Sequence, residues 1–271
     1  MGRRAGVVAG GYNWGMLEPI PLSVSLAGLD PSPGLPWSGS VRAPIAWASG
    51  LGIGMVRLDG AAPGLRAREL DRAARRDLAG LLRRRELGFS GIDLWIPERH
   101  FSDPERVDRA VSACAEAAQL AGELAGLLGT GPASVSVQLP AQPQAGVIHA
   151  IEQAAERGGV SIADHGPKGA EREGVVGAGL DPASALLRGE DPESIAASGA
   201  LVSARLSDAD DAGRRPVGDQ GRLDVRAYGV SLSVGGYTRD VVIDLRGLVA
   251  QDQCARRAAQ LWRAMTSLGA P

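Results

Sequence analysis

The sequence predicts an α/β fold, specifically a (β/α)8 TIM barrel, a parallel eight-stranded barrel with outer helices. Three observations carry this. Eight short β-rich runs recur between residues 21 and 247, and helical runs rich in alanine, arginine and leucine separate most of them. Strict β/α alternation implies parallel strands joined by right-handed crossovers, and eight repeats suggest closure. An open doubly wound sheet would place a GxGxxG turn after an early strand. The nearest glycine cluster, "GLGIG" (50–54), precedes a strand instead.

The strands are read, in order, as "PLSVSLAG" (21–28), "GMVRLDG" (54–60), "GIDLWIP" (91–97), "ASVSVQLP" (133–140), "GVSIADHG" (159–166), "VVGAGLDP" (175–182), "ALVSARLSD" (200–208) and "DVVIDLRG" (240–247). Between them, 65–87 and 103–128 carry apolar residues at three- and four-residue spacing with charges opposite, the signature of amphipathic helices. Ser102 in "SDPE" is the expected N-cap of the second. "GVIHAIEQAAERGG" (146–159) closes on glycine. "GEDPESIAAS" (189–198) is shorter, and "AQDQCARRAAQLWRAMTSLG" (250–269) ends the series. "PKGAEREG" (167–174) is too short for a full barrel helix, so one helix is expected to be missing after strand five. Glycines break up the first stretch, which reads as a flexible lead-in over 1–20 ahead of one barrel domain over 21–271.

Bulk properties narrow the function. With 271 residues, a net charge of −2 and a pI near 6, the chain shows no electrostatic bias toward nucleic acid or a membrane surface. Cys114 and Cys254 lie far apart and outside any CxxC pair, so neither a disulfide framework nor a zinc ribbon is indicated. A reducing cytoplasm is the simplest setting. No apolar run reaches the length of a membrane span, and the N-terminal stretch lacks the apolar core of a secretory signal.

Barrel active sites lie at the C-terminal ends of the strands. Polar residues collect there: Asp59; Glu98, Arg99 and His100; Gln138; Asp164 and His165; Asp181; Arg205 and Asp208; Asp244 and Arg246. Strand ends meet water, so single polar residues there mean little. Arg205 and Asp244 stand out because they fall inside apolar strands. Arg214 and Arg215, in the glycine-containing "GRRPVGDQGRLD" (213–224), could hold a phosphate in a planar fork. His100 could carry a proton or bind substrate, although a hydrogen-bonded loop histidine is the commoner case. Trp95 could stack on a sugar face, although a core tryptophan is the commoner case.

Read together, "LDPAS", "GEDP", "ARLSD", "PVGDQGRLD", "GGYTRD" and "VIDLRG" occur in the order and rough spacing of one family. They resemble the xylose isomerase-like barrels, the sugar phosphate isomerase/epimerase superfamily that includes the endonuclease IV type. "GIDLWIPERHFSDPERVDRAVSACAEAAQLAGEL" is similar to that family's third strand and helix. The resemblance implies carbohydrate metabolism, a sugar-like substrate at the C-terminal rim, and pairing into a homodimer. It also implies a divalent cation (Mn, Mg, Co or Zn) held by Glu, Asp, His and Glu from strands five to eight, which polarises substrate oxygens while nearby groups move a proton.

Carried over residue by residue, the ligand set departs from that pattern. The strand-five glutamate falls on Ala163, beside Asp164 and His165. Asp181 matches the ligand aspartate, Arg205 stands for the ligand histidine, and Asp244 is one methylene shorter than the expected glutamate. Arginine stays protonated and offers no lone pair to a metal. The expectation is therefore a degenerate metal site in which Asp181 and Asp244 are residual ligands, with no cofactor or only a weakly bound divalent cation. Arg205 is expected to fill the vacated position and pair with both acids. The candidate catalytic set is Asp181, Arg205, Asp244 and His165. The candidate substrate-binding set is His100, Trp95, Asp208, Arg214, Arg215 and Arg246. Two functions follow: a divergent isomerase/epimerase, or a catalytically inactive barrel that binds a ligand or protein. An abasic-site nuclease is disfavoured, because only three histidines are present and the net charge is negative.

Overall fold

In the computed structural model, which describes residues 20–167, 169–172 and 174–267, eight parallel strands close into a barrel. They are β1 (Leu22–Ser25), β2 (Met55–Asp59), β3 (Gly88–Asp93), β4 (Ser134–Val137), β5 (Ser161–Asp164), β6 (Val176–Leu180), β7 (Leu201–Leu206) and β10 (Val241–Ile243). Every strand pairs with its sequence neighbours in the barrel, and β1 closes on β10 with Leu22 opposite Val241. All eight expected strands are present. The third lies earlier than expected, so Trp95 sits two residues beyond its end. Nineteen residues of the expected lead-in, 1–19, fall outside the described region.

The helices follow the apolar spacing. They are α1 (Ala43–Ser49), α2 (Arg72–Arg84), α3 (Val107–Leu128), α4 (Val147–Gly158), α5 (Pro182–Leu187), α6 (Pro192–Ala197), α7 (Val225–Val234) and α8 (Gln251–Ser267). Asp71, Asp191 and Asp224 cap α2, α6 and α7 by accepting backbone N–H bonds, so local sequence fixes three helix starts. Ser102 does not cap α3. That helix begins at Val107 after Arg106, and the Ser102 hydroxyl donates to the Gln142 carbonyl instead. The reason is the turn of 3-10 helix at Glu98–Phe101, which uses Ser102 to end itself. Between β5 and β6 the described residues hold only a 3-10 turn, Gly169–Glu171.

The strands β8 (Asp208–Asp210) and β9 (Gly213–Arg215) form an antiparallel hairpin above β7. Asp208 thus belongs to this hairpin and not to the barrel wall.

The core is split by the pleat. Val24, Val56, Val135, Val137 and Ile162 are fully buried between barrel and helices. The alternate positions in β1 and β4 are Ser23, Ser25, Ser134 and Ser136, also buried. Barrel interiors are commonly filled by branched aliphatic side chains. Here small hydroxyls leave room for two arginines, Arg57 and Arg205, which rank among the largest fully buried side chains. Gly91 makes the space for one of them. It lies at a bulge between β2 and β3 with φ of 152°, and a Cβ there would meet the Arg57 guanidinium at 2.8 and 2.9 Å and collide with the Ser134 carbonyl.

Candidate functional site at the barrel mouth

Two layers of charge fill the barrel from its middle to its C-terminal mouth. In the lower layer Asp93, at the end of β3, is the hub. It accepts two bonds from Arg205, Nη1 to Oδ2 at 2.8 Å and Nη2 to Oδ1 at 2.6 Å, and one from Arg57 Nε at 2.8 Å. The Ser25 hydroxyl donates to the same carboxylate at 2.5 Å. Arg57 directs its remaining N–H groups to the carbonyls of Ser90, Ile92 and Ser134 and to the hydroxyls of Ser134 and Ser136. Burial pushes the Asp93 carboxyl up, but Arg205 and Arg57 outweigh it and hold the group well below the usual carboxylate range.

The upper layer is built on Asp181 and Asp244. Asp181 follows β6 and accepts from the hydroxyls of Ser207 (2.6 Å) and Ser184 (2.9 Å), from Arg214 Nη1 (2.9 Å) and from Arg246 Nη2 (3.1 Å). Asp244 follows β10 and accepts from Arg246 Nε at 3.0 Å and Nη2 at 2.5 Å, with Arg214 Nη2 at 3.3 Å. One arginine nitrogen, Arg246 Nη2, therefore sits between the two acids. Burial works against ionisation at both acids, and the two guanidinium groups reverse it, so both are held below their ordinary value. Arg214 and Arg246 reach the surface, with side-chain exposures of 18% and 21%.

Trp95 joins the layers. The Arg246 guanidinium lies 3.7 Å from its ring centre and that of Arg205 lies 5.0 Å away. His165 packs edge-on against the indole at 5.5 Å and bonds through Nε2 to the Ser136 hydroxyl at 3.2 Å. Burial, reinforced by Arg205, holds His165 neutral, well below its ordinary value.

The expected pairing of Arg205 is corrected by this geometry. Arg205 is buried, but its two strong bonds go to Asp93, across the barrel, and not to Asp181 and Asp244. Those acids are taken by Arg246 and Arg214. The reason is height. Arg205 sits one residue before the end of β7, level with the serine layer, whereas Asp181 and Asp244 lie just beyond their strands.

Other expected residues are dispersed. Arg215 pairs with Asp210 at 2.6 Å within the β8–β9 hairpin. Asp208 turns its carboxylate to the backbone N–H groups of Ala209, Arg222 and Leu223. Asp164 accepts from the backbone N–H of Leu139 and Gly166 and pairs with Arg172. His100 lies on the 3-10 turn after β3, within 3.0 Å of Arg106 Nη1; slight burial and then Arg106 lower its pKa. Asp93 and Arg57 were missed by the sequence reading. Their signal was a lone arginine in "MVRLD" beside an aspartate ending "GFSGID".

No protein-family model matches the sequence, and no curated protein matches it. Solved structures do. A xylose isomerase domain protein from Planctomyces limnophilus superposes with a TM-score of 0.65 at 15% identity, covering 91% of this chain and 96% of the other. The chain has the fold of the xylose isomerase-like TIM barrels. A barrel of that type from Mycobacterium smegmatis, in complex with magnesium, gives 0.62 at 16% identity over 92% of this chain and 98% of that one. D-allulose 3-epimerase from a Methylomonas species, in complex with D-allulose, gives 0.62 at 14% over 92% and 98%. The resemblance read from motifs thus holds at the level of fold.

The donor set at this barrel mouth does not fit a divalent ion. Among the described residues no three His, Cys, Asp or Glu side chains are grouped so as to hold one. Asp181 and Asp244 already share two guanidinium groups, Ala163 offers no donor, and Arg205 offers only positive charge. Nor do the described residues include a helix long and apolar enough to cross a membrane.

Proposed function

We propose that this chain binds a small sugar-like molecule at the C-terminal mouth of the barrel, with a fixed pair of arginines in place of a divalent ion. The observation that carries this is the position of Arg246 Nη2, bridging Asp181 and Asp244 at 3.1 and 2.5 Å. By resemblance these are the two acids that would share a metal. A guanidinium there supplies the cationic charge that would face substrate oxygens, and it offers directional N–H donors. Trp95 lies under the Arg246 guanidinium at 3.7 Å and holds that donor in place for the ligand. Arg214 and Arg246, both reaching the surface, would meet the ligand first.

Residue states favour binding over proton transfer, so the barrel is read as a binding module without catalysis. A general acid or base works best with a pKa near the working pH. At this mouth Asp181 and Asp244 are held ionised and His165 is held neutral.

Thermal unfolding with added Mn, EDTA and a panel of ketoses, aldoses and sugar phosphates tests the reading. The expected result is stabilisation by at least one sugar and no response to Mn or EDTA. Stabilisation by Mn that EDTA reverses would overturn it. Interconversion of a bound sugar, followed by NMR, would replace the inactive reading with a metal-independent enzyme.

A further inference from the structure

A cavity lies at the opposite end of the barrel, and nothing in the proposed function uses it. It measures about 430 Å³ and opens at the N-terminal ends of the strands. That volume falls within the range of small-molecule sites. Phe89, Met55, Pro21 and Pro132 line it with apolar surface, and Ser203, Arg239 and Asp240 line it with polar groups.

The polar groups are incompletely used. Asp240 is 9% exposed and ends the loop into β10. Its carboxylate accepts one side-chain bond, at Oδ2 from the Ser23 hydroxyl at 2.5 Å. Arg239, next to it, makes one long bond, from Nη2 to the Ser161 hydroxyl at 3.4 Å. Neither enters an ion pair among the described residues. The Ser203 hydroxyl is buried and has no hydrogen-bond partner there. Buried polar groups are normally satisfied, so the buried Ser203 hydroxyl and Asp240 carboxylate leave capacity for an occupant, and the half-buried Arg239 adds a cation at the rim.

The chamber beneath the cavity adds a constraint. Arg57 lines it, and Arg57 with Arg205 share the single carboxylate of Asp93. Two cations against one anion favour an incoming negative group, which Arg239 would fix in a forked bond. Asp240 requires a positive or hydrogen-donating group close by. The apolar walls require a hydrocarbon portion.

We propose that the N-terminal mouth of the barrel is a binding site for a small amino-acid-like zwitterion, with its carboxylate on Arg239, its ammonium on Asp240 and its side chain against Phe89 and Met55.

The test is calorimetric titration of the full chain with the twenty common amino acids, with lactate and n-butylamine as single-charge controls. Expected is one site per chain for at least one amino acid, with lactate and the amine each about tenfold or more weaker. Arg239→Gln should weaken that binding about tenfold or more, while Arg68→Gln, an exposed arginine elsewhere, leaves it unchanged. Asp240→Asn should do the same as Arg239→Gln. Should that variant unfold through loss of the Ser23 bond, Arg239→Gln remains decisive, because it removes only one long bond. Failure of every amino acid to bind the wild type would overturn the proposal. So would equal binding of lactate or the amine, or binding that survives Arg239→Gln. None of these results bears on sugar binding at the other end.

Discussion

Arg205 and Asp93 form a two-pronged ion pair across the barrel, from β7 to β3, with both side chains fully buried. This pairing explains how a permanent cation survives at 0% exposure. Burying an unpaired charge is very unfavourable, and a carboxylate with matching fork geometry offsets much of that cost. Because Arg205 is held by Asp93, Asp181 and Asp244 are left to Arg214 and Arg246.

Asymmetry within the lower layer gives a stability prediction. Asp93→Ala strands two guanidinium groups, whereas Arg205→Met leaves Asp93 paired with Arg57. Removing one partner of a buried pair costs about 3–5 kcal/mol. Asp93→Ala should reach or exceed that range in urea unfolding, and Arg205→Met should cost less. Equal losses would mean that Arg57 does not share the carboxylate.

Acid should unfold the protein early, and the sign follows from the carboxylates. Asp93, Asp181 and Asp244 all have folded-state pKa values below their ordinary value, because arginines outweigh burial. A depressed group contributes stability that is fully present above its unfolded value, about 4, and is lost as pH falls through the folded value. Stability should therefore be flat above about pH 5 as far as these three groups are concerned. Below about pH 4 it should fall by roughly 1.4 kcal/mol per pH unit for each carboxylate. Unfolding by urea across pH 2–7, compared with Asp93→Asn, reads the contribution of one of them.

Freeing the upper acids should create what the wild type lacks. In Arg214→Ala/Arg246→Ala, Asp181 and Asp244 lose both of their guanidinium partners. Two adjacent buried carboxylates repel and would attract a hard divalent cation. The double variant should be destabilised at neutral pH and partly rescued by Mn or Mg. Cation at about 100 times its Kd adds about 2.7 kcal/mol. A double variant that ignores Mn and Mg in thermal unfolding would show that the acids are not placed to share an ion.

Much of the fold was legible because alternation and helical spacing are local signals. The eight strands were readable in this way, as was the lack of an α-helix among the described residues between β5 and β6. Elements decided by distant contacts were less legible. Ser102 looks like a helix cap in "SDPE", yet a 3-10 turn upstream uses it. At the mouth, Asp181, Arg205 and Asp244 were singled out by motif order and Trp95 by its place after the third strand. Their partners were not, because pairing depends on height along the barrel axis, which sequence spacing does not report. The hub, Asp93, comes from an early strand where motifs are loose. The alternation of serine and valine in "LSVS" and "SVSV" was the readable sign that the barrel interior is polar.

Asp208 is best tested as a positioning residue for the mouth. Its Oδ1 accepts three backbone N–H bonds, from Ala209, Arg222 and Leu223, which ties the β8–β9 hairpin to the loop before α7. Arg214, on β9 of the same hairpin, reaches Asp181 at 2.9 Å. Gly221 packs so close that a Cβ would collide with the Asp208 carboxylate. Asp208→Ala takes this acceptor from the Ala209 and Leu223 N–H groups, at about 1–3 kcal/mol for each buried one, while the Arg222 N–H keeps the Ala209 carbonyl. Asp208→Asn keeps one oxygen acceptor and should restore much of the loss. Gly221→Ala should mimic Asp208→Ala, with a cost of about 1–3 kcal/mol for overpacking. Hydrogen exchange at the Leu223 amide reads the tie directly, whereas the Arg222 N–H also donates to the Ala209 carbonyl at 3.1 Å. Faster exchange in Asp208→Ala and Gly221→Ala, with near wild-type protection in Asp208→Asn, is expected. Unchanged protection in Gly221→Ala would mean that the loop is held by something other than this carboxylate.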